Sequence, residues 1–194
     1  MGKHQGQKDL EKIKKGNQMR IRIFTDGACS ENPGPGGWGA VIATHDGNQI
    51  LKGFEEDTTN NRMELMAVVK VLSHIMANGI NGFNPAKDKI EIHSDSAYVI
   101  NAINDKWTIK WRLNGWKTTK GKDVKNRDLW EEFMSLTMAF KSSKMSIQFV
   151  KVKGHKGVAL NELADQIAKE QVNVAKSAIH INPYIGNALE EAIS

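Results

Sequence analysis

The sequence predicts an α/β fold with a mixed five-stranded sheet, in which three antiparallel strands precede parallel strands and helices flank the sheet. Two patterns support this prediction. Three strand-like stretches follow one another near the start of the chain, and helical and strand periodicities alternate after them. The chain has 194 residues, 40% hydrophobic and 25% charged, a composition that excludes a disordered chain, a collagen-like fibre and a disulfide scaffold.

The first three strands are predicted from apolar patterning and from the turn residues between them. The predicted strands cover Met19–Thr25, Trp38–Thr44 and Ile50–Phe54. Asp26 and Gly27 end the first strand, and the Gly- and Pro-rich residues 31–37 predict a turn region. Asp46–Asn48, with the sequence Asp-Gly-Asn, indicates a hairpin because these residues tolerate positive φ.

The remaining elements are predicted to alternate between helix and strand. They are a helix over residues 61–77, a strand over Lys89–His93, a short helix over Ser96–Ile103, a helix over Asn126–Phe140, a strand over Ser146–Val152 and a helix over Asn161–Val174. Residues 58–61 offer several N-cap candidates for the first helix, and Asn78 with Gly79 stops it.

Three features of the chain bear on its location. No run approaches the roughly 18 apolar residues that a membrane span requires. The basic N-terminal residues lack the apolar core of a secretory signal. Cys29 is the single cysteine and cannot form an internal disulfide, which fits a reducing compartment. We therefore expect a cytoplasmic protein without a membrane partner.

Four acidic residues stand out by position. Asp26 follows the first strand and Asp95 follows the fourth, so their carboxylates lie side by side if these strands are neighbours. Carboxylates without cationic partners repel, and oxygen-only ligands favour Mg²⁺ or Mn²⁺ over zinc. Glu64 is the only acid between residues 58 and 78, and Asp165 lies one turn into the last helix. Taken singly, each of these acids is explained as a turn, cap or surface residue. The prediction of a metal site therefore depends on all four occurring together.

Five sequence blocks occur in a fixed order: FTDGACSENPGPGGWGAVI, TTNNRMELMAV, SDSAYV, WKTTKGKDVKNRDLW and VKGHKGVALNELAD. Together they resemble the type 1 ribonucleases H, in particular the bacterial ribonuclease HI group, over about residues 20–170. The resemblance implies a ribonuclease H-like mixed sheet with flanking helices. It also implies an endonuclease that cleaves the RNA strand of RNA/DNA hybrids and leaves 3′-hydroxyl and 5′-phosphate ends.

The resemblance also implies a set of catalytic residues. Asp26, Glu64, Asp95 and Asp165 match the carboxylates that bind two Mg²⁺ ions, for which Mn²⁺ can substitute. The family pattern makes Asp26 the bridging ligand, and Glu64 would also read a ribose 2′-hydroxyl. His155 matches a loop histidine that assists proton transfer or product release, although a lone loop histidine is more often a surface residue.

Substrate contacts are implied in two regions. The polar residues that resemble family contacts are Asn32, Thr59, Asn60, Asn61 and Arg62. The basic, tryptophan-rich residues that resemble a family protrusion gripping the DNA strand are Trp107, Lys110, Trp111, Arg112, Trp116 and Lys117. The alternative role for the first set is to form turns and helix caps. The alternative role for the tryptophans is to pack a small helical protrusion. Ala97 departs from the glutamine common in bacterial members, which affects one minor-groove contact.

Charge is uneven along the chain. The formal net charge is +5, but residues 106–127 carry eight basic residues against one acidic residue, a net of +7. We expect a basic arm over 1–18, or an inert extension there, a catalytic domain over 19–175 that includes the protrusion over 104–127, and a C-terminal extension over 176–194. A basic stripe beside an acidic remainder favours a polyanionic partner.

The expected partner is an RNA/DNA hybrid, and the chain is expected to act as a monomer. A non-catalytic nucleic-acid-binding module with the same fold is the alternative function, and loss of a metal-binding carboxylate would favour it. None of the four is lost. A polynucleotidyl transferase of the integrase type is disfavoured by the basic tryptophan segment and the NNRMEL block.

Overall fold

The structure is a computed structural model that describes residues 19–44, 47–153 and 158–193, with side chains described as far as residue 179. Its strands are β1 (Arg20–Cys29), β2 (Gly34–Thr44), β3 (Gly47–Thr58), β4 (Lys89–Ser94) and β5 (Ser146–Lys151). Its helices are α1 (Asn60–Asn78), α2 (Ala97–Asn104), α3 (Trp107–Leu113), α4 (Arg127–Ser142) and α5 (Ala159–Ile193).

The five strands form one sheet in the order β3-β2-β1-β4-β5. β1, β2 and β3 pair antiparallel, whereas β4 is parallel to both β1 and β5. The predicted mixed sheet is therefore confirmed. Phe24 of β1 is in register with His93 of β4, so Asp26 and Asp95, each two residues further on, lie at the same end of these parallel strands. β1 continues to Cys29, so Asp26 and Gly27 lie within the strand and do not end it as predicted, whereas Asp95 directly follows β4.

Helices cover both faces of the sheet because side chains alternate along each strand. Ile21 and Ile23 of β1 join the larger core, which they share with the apolar face of α1 and with Trp130 of α4. Phe24 points to the opposite face and packs with Ala164 and other residues of α5. The carboxyl end of β1 thus lies between two helices, one on each face.

The turns at the start of the chain differ from the prediction. Gly34–Gly37, predicted as part of a turn region, belong to β2. A Cβ at Gly37 would lie 2.5 Å from the carbonyl oxygen of Ala168, so these glycines allow α5 to pack closely on the strand. Gly47 pairs with Thr44 and therefore starts β3, which leaves residues 45 and 46, outside the described residues, between the strands. The predicted turn residues Gly47 and Asn48 are therefore strand residues, whereas Asp46 lies outside the described residues.

Two helices were not fully predicted. α3 lies inside the basic segment, to which no bounded helix or strand was assigned, and it begins after Lys106 in the left-handed conformation without a side-chain cap. A helix without a capping residue gives no start signal in the sequence. α5 continues to Ile193, well past the predicted end at Val174. None of the described helices combines the length and apolar character needed to cross a membrane.

Candidate active site

Asp26 is the centre of the predicted acidic group. Its side chain on β1 is only 9% exposed, and Oδ1 accepts a hydrogen bond of 2.7 Å from the Gly27 amide. Burial, the largest cause, and the negative charges of Asp95, Asp165 and Glu64 together raise the pKa of Asp26 to about 7, against the opposing Gly27 hydrogen bond. The structure therefore brings the other three predicted carboxylates within electrostatic reach of Asp26.

Glu64 is held in place by two hydrogen bonds. Its Oε2 accepts a bond of 2.5 Å from Ser96 Oγ, and its Oε1 accepts a bond of 3.0 Å from Asn60 Nδ2. Burial raises the pKa of Glu64 and Asp95 adds to the rise, while both hydrogen bonds oppose it. The carboxylate is thus oriented by groups on α1 and at the start of α2.

Two glycines allow the helices to approach Asp26. A Cβ at Gly27 would overlap the backbone of Met63 and Glu64, so only glycine lets β1 meet the first turns of α1. Gly39 lies opposite Asp26 in the sheet, and a Cβ there would lie 2.7 Å from the carbonyl oxygen of Ala164. These close contacts position Glu64 on one side of Asp26 and Asp165 on the other.

Asp165 is paired with a lysine in this structure. Its Oδ2 accepts a hydrogen bond of 2.7 Å from Lys169 Nζ, one turn further along α5. As they stand, no three acidic, histidine or cysteine side chains among the described residues form a ready metal-binding group. The donor set nevertheless fits a divalent cation, because its carboxylate oxygens are the ligands that Mg²⁺ and Mn²⁺ prefer and a cation would relieve the repulsion that raises the pKa of Asp26.

A polar recess opens beside the start of α1. It has a volume of about 230 Å³ and is lined by Asn32, Thr59, Asn61, Tyr98, Lys125 and Asn126. Thr59 caps α1 through a bond of 3.4 Å from the Arg62 amide, and Asn32 Oδ1 accepts a bond of 2.8 Å from the Asn60 amide. Asn32 and Thr59 therefore both hydrogen-bond amides at the start of α1 and line the recess.

Arg62 does not line this recess. Its Nε donates to Glu55 at 2.9 Å, and its Nη1 contacts Asp128 at 2.8 Å, so it ties β3 and the first turn of α4 to α1. Asn60 is likewise engaged inside the protein through Glu64. Of the five polar residues predicted to contact substrate, three therefore line the recess: Asn32, Thr59 and Asn61. Asn60 and Arg62 do not line it, and their side chains bond acidic residues of the protein.

The basic segment forms a groove of about 610 Å³. Four of its predicted contact residues, together with polar neighbours, line it: Trp107, Lys110, Trp111 and Lys117. The rings of Trp107 and Trp111 lie 6.0 Å apart, and the Trp111 ring lies 5.6 Å from Trp130 in the core. The two tryptophans thus both pack against the protein body and border the groove.

Trp116 and Arg112 lie elsewhere. Trp116 is only 7% exposed, and the guanidinium of Arg127 lies 5.3 Å from the centre of its ring. Arg112 lines a separate groove beside the exposed Ile109 and Leu113. A nucleic-acid base could not stack on the covered face of the Trp116 ring without displacing Arg127.

The remaining predicted residue and two that the prediction missed complete the site. His155 lies outside the described residues. Ser96 and Tyr98 were not predicted as site residues, yet both contact groups of the site. Ser96 follows Asp95 and precedes a helix, so its N-cap position was a readable signal. Nothing local distinguished Tyr98.

We expect Ser96→Ala to lower the rate of substrate cleavage about 10-fold or more, since a hydrogen bond to a charged group contributes about 1.5–3 kcal/mol. Loss of the bond also raises the pKa of Glu64, so the acidic limb of the pH–rate profile should move to higher pH. Ser96→Thr keeps the hydroxyl and should retain most activity. An unshifted profile for Ser96→Ala would contradict this role.

The family model described as RNase H matches residues 18–173 of the chain. The ribonuclease H of Syntrophomonas wolfei is 47% identical over 152 residues, which cover 78% of this chain and 95% of that protein.

Two solved structures share the fold. LC9-RNase H1, described as a type 1 RNase H with the type 2 active-site motif, aligns with a TM-score of 0.63 and 26% identity, covering 82% of this chain and 74% of that chain. LC11-RNase H1, solved in complex with an RNA/DNA hybrid, aligns with a TM-score of 0.56 and 23% identity, covering 80% of this chain and 98% of that chain. The second likeness concerns the fold alone.

Proposed function

Because this chain belongs to the ribonuclease H family and is a ribonuclease H hydrolase, we propose that it is an endonuclease that cuts the RNA strand of RNA/DNA hybrids and leaves 3′-hydroxyl and 5′-phosphate ends. One observation carries the proposal. The carboxylates of Glu64, Asp95 and Asp165 surround a buried Asp26 and contribute to raising its pKa to about 7, which is the electrostatic signature of an acidic cation-binding site.

Ribonucleases H generally need divalent metal ions, and the proposed ions here are two Mg²⁺, with Mn²⁺ as a substitute. Asp26, Glu64, Asp95 and Asp165 would hold them. When bound, such ions lower the pKa of the attacking water and neutralise the leaving oxygen. The chain itself presents Glu64 in a fixed orientation, through Ser96 and Asn60, where it is also proposed to bind a ribose 2′-hydroxyl. His155 is proposed to assist proton transfer or product release.

The substrate backbone is proposed to follow the recess beside the start of α1 and the groove of the basic segment. The recess offers the side chains of Asn32, Thr59 and Asn61, with the cationic Lys125 at its border. The groove of the basic segment offers Lys110 and Lys117 between aromatic walls, which suits a nucleic-acid backbone. Among the residues that the structure describes, no acidic residue lines either depression, so a polyanion can enter both. We propose that the chain works as a monomer.

We expect the double variant Lys110→Gln, Lys117→Gln to weaken hybrid binding and to flatten its salt dependence. Each phosphate contact contributes about 0.9 to the slope of log K against log salt concentration, so the slope should fall by about 1–2. The measurement is the Kd for a labelled hybrid between 50 and 300 mM salt.

The matched control for this prediction is the double variant Lys141→Gln, Lys144→Gln. It removes the same charge from exposed positions at the far end of α4, outside the groove. The control should keep the slope of the unmodified protein. An equal change in both double variants would mean that net charge, and not the groove, sets the salt dependence.

Cleavage of an end-labelled RNA/DNA hybrid in Mg²⁺ tests the proposed function. Double-stranded DNA and double-stranded RNA serve as competing substrates, and Asp26→Asn serves as the inactive control. The expected result is internal cleavage of the RNA strand only, with product ends that a polymerase extends and a phosphatase trims. Tight hybrid binding without cleavage by the unmodified protein would instead support a non-catalytic binding module.

A further inference from the structure

The hydroxyl of Tyr98, on α2, makes three hydrogen bonds. It accepts one of 2.9 Å from Trp130 Nε1 and one of 3.2 Å from Asn126 Nδ2, and it donates one of 3.4 Å to the backbone carbonyl of Lys125. A phenol has one proton and two lone pairs, so this hydroxyl is fully used. Such complete pairing fixes the position of every group that it joins.

Two of the three partners are consecutive residues of the recess. Lys125 and Asn126 directly precede α4, and the backbone of Asn126 is left-handed with φ of 55° and ψ of 36°. Its side chain makes no capping hydrogen bond to α4, although asparagine is a favoured capping residue. The amide is directed to Tyr98 instead. The turn is therefore held both by the Tyr98 hydroxyl and by the bond of 3.1 Å from the Trp130 amide to the Asn126 carbonyl.

This turn forms one wall of the recess, and the start of α1 forms the other. Asn32, Thr59 and Asn61 face it from the loop after β1 and the first turn of α1. The ring of Tyr98 lies 5.7 Å from that of Trp130, which is fully buried, so the hydroxyl is anchored to the core. The recess thus has one wall fixed by a helix cap and one fixed by Tyr98.

We infer that Tyr98 is a positioning residue for substrate binding: its hydroxyl holds Lys125 and Asn126 opposite the start of α1, so that the recess is already shaped for a backbone segment of the hybrid. This inference rests on the proposed function. The three hydrogen-bond partners of the hydroxyl include none of the four carboxylates, so Tyr98 acts on binding and not on the chemical step. A preformed wall avoids the entropic cost of ordering the turn when substrate binds.

The test is Tyr98→Phe, which removes the hydroxyl and keeps the ring. The Kd for a fluorescent RNA/DNA hybrid, measured by anisotropy in EDTA, and the KM in Mg²⁺ should both rise about 5–10-fold, and kcat should stay within about 2-fold. A matched control is Ser135→Ala, which removes an exposed hydroxyl that bonds only the Glu131 carbonyl within α4. It should change neither constant.

A double-mutant cycle separates positioning from general destabilisation. Asn126→Gly keeps the left-handed backbone and removes the amide, and we expect it to raise Kd by a similar factor. Adding Tyr98→Phe to Asn126→Gly should then raise Kd by a smaller factor than Tyr98→Phe does alone, because the bond between Asn126 and the hydroxyl is already lost. If Tyr98→Phe fails to fold, Asn126→Gly alone still tests whether the turn governs Kd.

The outcomes are distinguishable. An unmodified protein that does not cleave the hybrid overturns the proposed function, and with it the inference. A cleaving protein in which Tyr98→Phe leaves Kd and KM unchanged overturns the inference alone. A fall in kcat at constant KM, or additive effects in the cycle, would also overturn it, because Tyr98 would then act on the carboxylates or on overall stability.

Discussion

Asp26→Asn should abolish hybrid cleavage, with a loss of at least about 1,000-fold, and should make the protein more stable at neutral and alkaline pH. Activity is lost because the central carboxylate no longer attracts the cation, and charge stabilisation is the largest contribution that such sites make to the rate. Stability rises because the asparagine amide is neutral and its oxygen can keep the bond of 2.7 Å from the Gly27 amide. Single-turnover cleavage measures the first effect and urea unfolding in EDTA the second.

The stability gain should depend on pH in a defined way. The folded pKa of Asp26 is raised from 3.8 to about 7. Between these values the unfolded chain has lost the proton that the folded protein retains, so the stability of the unmodified protein falls as pH rises through this window and is level above it. At about 1.4 kcal/mol per pH unit the loss is at most about 4 kcal/mol.

Asp26→Asn has no such loss, so its advantage should be small at pH 4 and largest at pH 8. Mg²⁺ should reduce the difference in unfolding free energy between the variant and the unmodified protein at pH 8, because a bound cation stabilises the ionised carboxylates of the unmodified protein. Equal unfolding free energies of the two proteins at pH 8 in EDTA would show that Asp26 is not destabilised by burial and neighbouring charge.

Gly27→Ala should reduce both stability and cleavage severely. The added methyl group overlaps the backbone of Met63 and Glu64, and backbone cannot give way as a flexible side chain can. Overpacking of this kind costs about 1–3 kcal/mol or more, and here it also moves Glu64 away from Asp26. We expect a loss of about 3 kcal/mol in unfolding free energy and of about 100-fold in the cleavage rate, measured by urea unfolding and single-turnover kinetics.

The matched control for Gly27→Ala is Gly34→Ala. A methyl group at Gly34 would meet chiefly the Cβ of Glu31, at 3.0 Å, in a more exposed part of the chain. That neighbour has to move by only a few tenths of an ångström. The control should lose less than about 1 kcal/mol in unfolding free energy and keep most of its activity. Similar losses in both variants would contradict the role given to the close contact between Gly27 and α1.

The sheet and its acidic end were predictable because they depend on local patterns. Alternation marks β1 and β4, and the point where it stops drew attention to Asp26 and Asp95, although β1 itself continues through Asp26 to Cys29. Parallel pairing of β1 and β4 then places Asp26 and Asp95 at one end. The boundaries of β2 were predicted less well, because its glycines serve the packing of α5 and not a turn.

The partners of the polar and aromatic residues were not predictable from the same patterns. Arg62 pairs with Asp128, 66 residues away in the chain, and therefore does not line the recess. Trp116 carries the same composition signal as Trp111, yet it is covered by Arg127. Both outcomes depend on how α4 packs against the rest of the fold, which no window of adjacent residues encodes.

The sequence by itself therefore predicted most of the strands and helices in their order, the resemblance to ribonucleases H and the four carboxylates proposed to bind metal, since each is carried by periodicity or by a short motif. Only the tertiary structure decided that Ser96 orients Glu64 and that Tyr98 holds the turn at Asn126, across separations of 32 and 28 residues. Hydrogen bonds across such distances depend on the relative placement of whole elements. For Glu64 that placement is set by the close approach of α1 to the sheet at Gly27, and for Tyr98 by its packing against Trp130 of α4.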